Sequence, residues 1–360
     1  MKQYTIAELT EIVNRALDDI NYPKVPQGLY EPIAYVLSMG GKRLRPVLLL
    51  LVNNMFDGDT HEALKVALAL ETYHNYTLMH DDLMDNADMR RGKPVVHKRW
   101  DANTAILSGD TMLVLAYKHL LEAKTPRIHE IAGLFTKTAI EIGEGQQYDM
   151  NFENRLDVSE SEYLEMIRLK TGVFIACAAK MGAILGGADD DTAEKFYRLG
   201  ETVGLAFQLQ DDFLDVYGDP AVFGKKIGGG ITSNKKTFLL IKALETAVGE
   251  TRAALLNLIS AKNFDRDEKI AAVTAIYNKL GVDRMTQEAI NSYFEESRLI
   301  FNSINIEEDR KHEVWNFISS LVGRKIGLPH AVYRYPFPYI RRRICRRFGR
   351  CCATRQKCGG

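Results

Sequence analysis

The body of this 360-residue chain has almost no cysteine: Cys177 stands alone, and Cys345, Cys351, Cys352 and Cys358 all fall in the last sixteen residues. That excludes a disulfide framework for the body and sets the expectation of a reducing, cytoplasmic setting. Long apolar runs are missing as well. The longest purely aliphatic stretch, Val47 to Val52, is far short of the ~20 residues of a transmembrane helix. The opening Met1-Lys2-Gln3-Tyr4-Thr5 leads into charged sequence, without the apolar segment of a signal peptide. Period-two alternation is scarce, which argues against a sheet protein.

What the chain does have is charge, unevenly placed. Lys plus Arg and Asp plus Glu both total 47, but eleven of the basic residues and none of the acidic ones lie from Arg324 onward. The first 323 residues therefore carry 36 basic against 47 acidic groups, a net of −11. No nucleic-acid footprint is expected of such a body. Anionic substrates would have to be met by local Lys/Arg clusters or by bound cations. The tail reads Tyr335-Pro336-Phe337-Pro338, then Arg341-Arg342-Arg343-Ile344-Cys345-Arg346-Arg347. It is expected to be a separate, disordered or non-native appendage at 324–360, with a cationic arm for anionic surfaces as the alternative.

Helical periodicity dominates the rest. The pattern predicts helices over Ile6–Ile20, His61–Met84, Thr104–Ala123, Ile128–Gln147, Ser159–Leu185, Thr192–Tyr217, Lys236–Ser260, Arg266–Leu280, Arg284–Asn302 and Glu307–Val322. Thr5 before Glu8, Ser159 before Glu162 and Asp191 before Glu194 read as N-caps or capping boxes. Ala63–Leu70 and Ala176–Leu185 are apolar nearly all round, as helices inside a bundle are. One large helical domain over 1–323 is expected, rather than two small ones.

The strongest chemical signal is Asp81-Asp82-Leu83-Met84-Asp85, echoed by Asp211-Asp212-Phe213-Leu214-Asp215. On a helix, residues four apart share a face, so Asp81 and Asp85 point together, as do Asp211 and Asp215. Unpaired like charges at that spacing repel, and each cluster costs helix stability unless something positive sits between the carboxylates. A solvated acidic face would explain one such cluster. It does not explain two of matching spacing, both set among Leu, Met and Phe. Hard carboxylate oxygens suit Mg²⁺, which binds through a few carboxylates plus substrate phosphates.

Basic residues surround these clusters in sequence. Gly40-Gly41-Lys42-Arg43-Leu44-Arg45-Pro46 joins a flexible turn to three cations, and Arg90-Arg91-Gly92 follows the first cluster. Lys170-Thr171-Gly172 lies between the clusters, and Lys225-Lys226 and Asn234-Lys235-Lys236 follow the second. Glycine permits close backbone approach and arginine offers phosphate a bidentate fork.

GGKRLRP at 40–46, HDDLMD at 80–85, RRG at 90–92, KTG at 170–172 and FQLQDDFLD at 207–215 together resemble the trans-isoprenyl diphosphate synthase family. The resemblance implies an all-α fold: a single large orthogonal helical bundle of the isoprenoid synthase type around a central apolar cavity, assembled as a homodimer. It also implies head-to-tail condensation of isopentenyl diphosphate with an allylic diphosphate, assisted by three Mg²⁺ per active site. By it, Asp81, Asp85 and Asp211 would ligate metal, and Asp82, Arg90 and Lys170 would belong to the catalytic set. Lys42, Arg45, His74 and Arg91 would contact isopentenyl diphosphate. Arg90, Lys170, Thr171, Gln208, Lys225 and Lys235 would contact the allylic diphosphate, with Lys226 as the alternative to Lys225. A class I terpene cyclase and a non-catalytic subunit of a heteromeric synthase are the rival readings. GGKRLRP supplies a second anion site, which a cyclase does not need, and both acidic motifs are intact, where a non-catalytic subunit usually has degraded ones.

A cationic intermediate needs an apolar, closed pocket, for which Phe207, Phe213, Met79 and Met84 are candidates. The helix leading into Asp81 carries Thr77, Tyr76, Tyr73 and Leu70 on roughly the metal-facing side. A growing prenyl tail would run along that stripe, and Tyr76, roughly 7.5 Å of helix rise from Asp81, is its first large obstacle. With one aromatic five residues before the cluster, the resemblance implies a short product, C20 ahead of C15.

Overall fold

In the computed structural model, residues 3–219 and 227–322 are described. They fall within one compact unit spanning Met1–Ile326. Lys225, Lys226 and the basic tail lie outside the described residues.

The all-α expectation holds. Helices α1 (Ile6–Asp18), α2 (Gln27–Leu37), α3 (Leu44–Met55) and α4 (Thr60–Met84) lead into the chain's two short strands among the described residues, β1 (Met89–Arg90) and β2 (Lys93–Pro94). Arg91 and Gly92 turn this antiparallel hairpin with positive φ of 52° and 76°, the geometry of a two-residue type I′ turn. There follow α5 (Val96–Arg99), α6 (Ala102–Leu121), α7 (Ile128–Phe152), α8 (Glu160–Ile167), a π-turn at Arg168–Gly172, α9 (Val173–Leu185) and α10 (Asp190–Tyr217). Beyond the undescribed loop come α11 (Gly229–Thr232), α12 (Phe238–Thr246), α13 (Gly249–Ser260), α14 (Arg266–Leu280), α15 (Val282–Asn302) and α16 (Glu308–Val322).

The core sits where the sequence is apolar all round. Every residue of α3 from Pro46 to Met55 is buried, and so is α9 from Val173 to Ile184 apart from Lys180. These two helices pack on each other, and α4 and α10 pack against them. The two long helices that carry the aspartates therefore flank one core.

The Thr5 and Ser159 capping boxes form as expected. The third cap shifts: Asp189, not Asp191, accepts from the Thr192 backbone N–H at 2.7 Å, because helix begins at Asp190 and already includes Asp191. Three long helical predictions also need correction. The Ser159–Leu185 segment is interrupted by the π-turn, and Lys236–Ser260 breaks at Ala247–Val248, with Gly249 at φ 52°. The Ile128–Gln147 prediction stops short of Phe152, where α7 ends.

Candidate active site

Both aspartate clusters close long helices. Asp81 and Asp82 occupy the last turn of α4 and Asp85 is its C-cap; neither that turn nor the last turn of α10 contains a basic residue. The C-terminus of a helix is the negative end of its dipole, so carboxylates there are disfavoured and cations favoured. Two such ends facing the same cations is an arrangement that asks for more positive charge.

Those cations are Lys170 and Lys235. Lys170 Nζ lies 2.7 Å from Asp149 Oδ2 and 4.0 Å from Asp81 Oδ1. Lys235 Nζ lies 3.9 Å from both Asp85 Oδ2 and Asp149 Oδ2. Burial alone would push the Lys235 ammonium down, but Asp149, Asp85, Asp81 and Asp212 together raise it. Lys235 thus feels both clusters. Asp81 is raised by its burial first and by its neighbour Asp85, with Lys170 opposing.

The second residue of each cluster is engaged within the protein. Arg90 holds Asp82 bidentately, Nε to Oδ2 at 2.7 Å and Nη2 to Oδ1 at 2.8 Å. Asp212 accepts from the Tyr163 hydroxyl at 2.6 Å and from Gln208 Nε2 at 3.0 Å. Burial pushes the Asp212 carboxyl up to about 7 against those two donors. Thr171 donates to Gln208 Oε1 at 3.1 Å, which orients the amide. Asp211 lies within electrostatic reach of Arg45. Asp215 instead receives the Gly229 and Gly230 backbone N–H groups at 3.2 and 2.7 Å, capping the short α11.

Lys170 and Thr171 reach this place because of the π-turn, which widens the helix by one residue and re-aims its side chains. Its backbone is gripped by glycines from other helices. A Cβ on Gly145 of α7 would lie 2.4 Å from Lys170 N, and one on Gly204 of α10 would lie 2.5 Å from Gly172 Cα. A cavity of about 160 Å³ opens beside the turn, lined by Asp149, Lys170, Thr171, Gln208, Asp212 and Lys235, with Met166 and Ile167 as apolar wall. None of Phe207, Phe213, Met79 and Met84 lines it; Met79 and Phe213 are buried core and Met84 is 53% exposed.

A second cationic group lies around His74. Arg45 Nη1 is 3.4 Å from His74 Nε2, and Arg45 Nε is buried without a partner, an orphaned donor that a ligand oxygen would satisfy. Burial lowers Arg45 to about 10. His74 is driven far below its ordinary value by burial and by Arg45, Arg91, Arg90 and Arg43. Arg91 donates to the Gly40 carbonyl, and Lys42 stands exposed in that loop.

Along α4, Tyr73 is buried and Tyr76 half-buried, their ring centroids 5.3 Å apart. Tyr73 also packs on Phe135 and Phe174 and donates to the Ala139 carbonyl at 3.3 Å. Tyr76 stacks edge-on against His80 at 4.8 Å, and Thr77 donates back to the His74 carbonyl.

Asp149 is the residue that sequence reasoning missed. It bridges the two lysines, yet it is a lone carboxylate in the part of α7 beyond the predicted end, and only its position four residues after Gly145 hints at a role.

Among the described residues, no three His, Cys, Asp or Glu side chains converge tightly enough to hold a metal ion by themselves. The donors that both clusters offer are carboxylate oxygens, the hard ligands that Mg²⁺ takes together with phosphate oxygens and water. No described helix is long and apolar enough to cross a membrane.

Comparison with known proteins gives the family. The family profile described as polyprenyl synthetase matches residues 26–277. The geranylgeranyl diphosphate synthase of Methanosarcina mazei is 39% identical over 288 residues, covering 79% of this chain and 87% of its own. The geranylfarnesyl diphosphate synthase of Natronomonas pharaonis is 37% identical over 309 residues, covering 77% and 91%. A crystal structure of a geranylgeranyl pyrophosphate synthase superposes with TM-score 0.85 at 41% identity, covering 89% of this chain and 99% of that one. The chain belongs to the polyprenyl synthetase family: it is an all-α prenyltransferase that extends an allylic diphosphate with isopentenyl diphosphate to a short-chain prenyl diphosphate.

Proposed function

We propose that the allylic diphosphate is held between the two aspartate clusters and isopentenyl diphosphate in the arginine group around His74. The observation that carries this reading is the place of Lys235, 3.9 Å from Asp85 of α4 and lining one cavity with Asp212 of α10. Asp81, Asp85 and Asp211 would hold Mg²⁺, three ions when substrate is bound. When bound, the ions neutralise the leaving diphosphate and make its departure feasible.

The chain's own groups do the rest. Lys170, Lys235 and Arg90 offset charge as it develops on the departing oxygens, in a partly buried site where such charges are worth more than in water. Thr171 and Gln208 offer a hydroxyl and an amide to the same diphosphate, and Lys225 is assigned there as well. Lys42, Arg45, His74 and Arg91 hold the other diphosphate, so that its double bond meets the allylic carbon as the C–O bond breaks. Met166 and Ile167 keep water from the cationic intermediate. The released diphosphate accepts the proton that ends the condensation.

Product length is set by the tyrosine pair, Tyr76 first, Tyr73 beneath it, and Thr77 beside them. The product is C20, with C15 as the next choice. A stripe on α6, Leu107, Val114 and Leu121, is spaced by seven residues and exposed at 61–68%, and Ile140 of α7 is exposed as well. Such a stripe suits a helix–helix seam between two copies, which supports a homodimer. A cytoplasmic setting fits the free, buried Cys177. We take 1–323 as the synthase unit and 324–360 as an appendage to it.

Incubation with Mg²⁺, isopentenyl diphosphate and each of the C5, C10 and C15 allylic diphosphates, followed by sizing of products, tests the reading. All-trans C20 is expected. A cyclised hydrocarbon, or no product from the purified chain alone, would favour the cyclase or the partner-subunit reading instead.

A further inference from the structure

Arg43 sits inside the cationic loop yet turns away from it. It is the N-cap of α3, held in the left-handed region at φ 48° with no side-chain cap, a conformation that costs a non-glycine residue of this kind some stability. Its guanidinium is buried. Nη1 donates to Glu71 Oε1 at 2.6 Å, Nε to Asn14 Oδ1 at 3.0 Å and Nη2 to the Leu37 carbonyl at 3.2 Å. Glu71, in the middle of α4, is as buried as its partner, with side-chain exposures of 2% and 3%. It also accepts from Asn75 Nδ2 at 3.0 Å.

The charge on Glu71 reaches further than Arg43. It supports the charged forms of Arg45 and Arg91 against burial, and it lies one helical turn before His74. The loop is fastened from its other side by Arg91, which donates to the Gly40 carbonyl and leaves no room for a Cβ on Gly41, 2.8 Å from Arg91 Nη2. Several guanidinium groups are thus gathered around one buried carboxylate.

We infer that Glu71 and Arg43 are positioning residues: a buried ion pair that assembles the cationic cradle before its diphosphate arrives. Without the carboxylate, like charges would spread and the loop carrying Lys42 and Arg45 would lose its fixed starting geometry. Preorganisation of this kind improves binding by removing the cost of ordering the site. The inference rests on the assignment of Lys42, Arg45 and Arg91 to isopentenyl diphosphate.

The sign of the effect separates positioning from mere proximity. Glu71→Gln keeps the shape and an accepting oxygen but deletes the charge. If Glu71 were only a nearby negative charge, its loss would make the site more positive and lower KM for isopentenyl diphosphate. Positioning requires the opposite, a rise of tenfold or more, with KM for the allylic diphosphate within twofold of wild type. Glu71→Asp keeps the charge but withdraws it by one methylene, and it should raise the same KM. It also serves if Glu71→Gln fails to fold, as judged by circular dichroism. A lowered or unchanged KM for isopentenyl diphosphate in a folded variant overturns the proposal. Lys42→Ala and Arg45→Ala run alongside. If these leave that KM unmoved, the site assignment itself fails; if they raise it and the Glu71 variants do not, only the positioning role fails.

Discussion

Gly145→Ala is a one-methyl perturbation with a calculable consequence. The added Cβ would lie 2.4 Å from Lys170 N and 2.8 Å from Leu169 C and Lys170 Cα, all of them backbone, where ordinary contact begins at 3.4 Å. Helix α7 and the π-turn must therefore separate by about 1 Å, since no flexible side chain can give way. Asp149 lies one turn further along α7, and its 2.7 Å contact with Lys170 would open beyond hydrogen-bonding range. Overpacking of this kind costs ~1–3 kcal/mol, a fall of roughly 2–5 °C in Tm for a chain of this size. The larger effect should fall on catalysis, because a misplacement of ~1 Å at a reacting site costs about 100-fold. Steady-state kinetics with both substrates, beside thermal unfolding, reads both quantities. Gly133→Ala on the same helix meets nothing within 4 Å; it should leave kinetics unchanged and stabilise the helix by up to ~1 kcal/mol. Wild-type kcat/KM in Gly145→Ala would refute the claim that this close approach sets the site.

Other perturbations follow from the same geometry. Asp81→Ala or Asp211→Ala should nearly abolish turnover with helicity retained by circular dichroism; near-normal rates from either would remove that residue from the metal set. Tyr76→Ala should shift products to longer chains on sizing, at modest cost in stability because the ring is half-buried; an unchanged distribution would remove it from the floor. His74 stays neutral in the fold while the unfolded chain takes up a proton near pH 6.5, so below that pH the unfolded state binds more protons and stability falls as pH drops. His74→Gln should flatten that slope between about pH 5 and 6.5 in denaturant titrations, and a persisting slope would place its origin elsewhere.

The aspartate clusters were legible because their spacing matches the helical period and because each is set in apolar sequence. The buried helices announced themselves in the same way, as in the run Val47 to Val52. What escaped was whatever another element imposes. Only Gly172, at its end, marks Arg168–Gly172 in the sequence; the π-turn is set where Gly145 and Gly204 of neighbouring helices meet it, and these partners lie about 25 and 32 residues away in sequence. Asp149 is a single carboxylate and acquires its role only when Lys170 and Lys235 are brought to it. Arg43 reads as one more surface cation until its left-handed backbone turns it toward Glu71. The cavity beside the π-turn draws its apolar side from Met166 and Ile167 of α8, residues that nothing in the sequence around either cluster marks.

The central claim is that both carboxylate groups act on one pyrophosphate moiety, and a double-mutant cycle on binding tests it most directly. Affinity for an unreactive allylic thiodiphosphate would be titrated calorimetrically in Mg²⁺ for wild type, Asp81→Asn, Asp211→Asn and the double variant. The account predicts that each single change weakens binding at least tenfold and that the double variant is scarcely weaker than either. Losses that multiply would mean that the two clusters bind independently, and would contradict it.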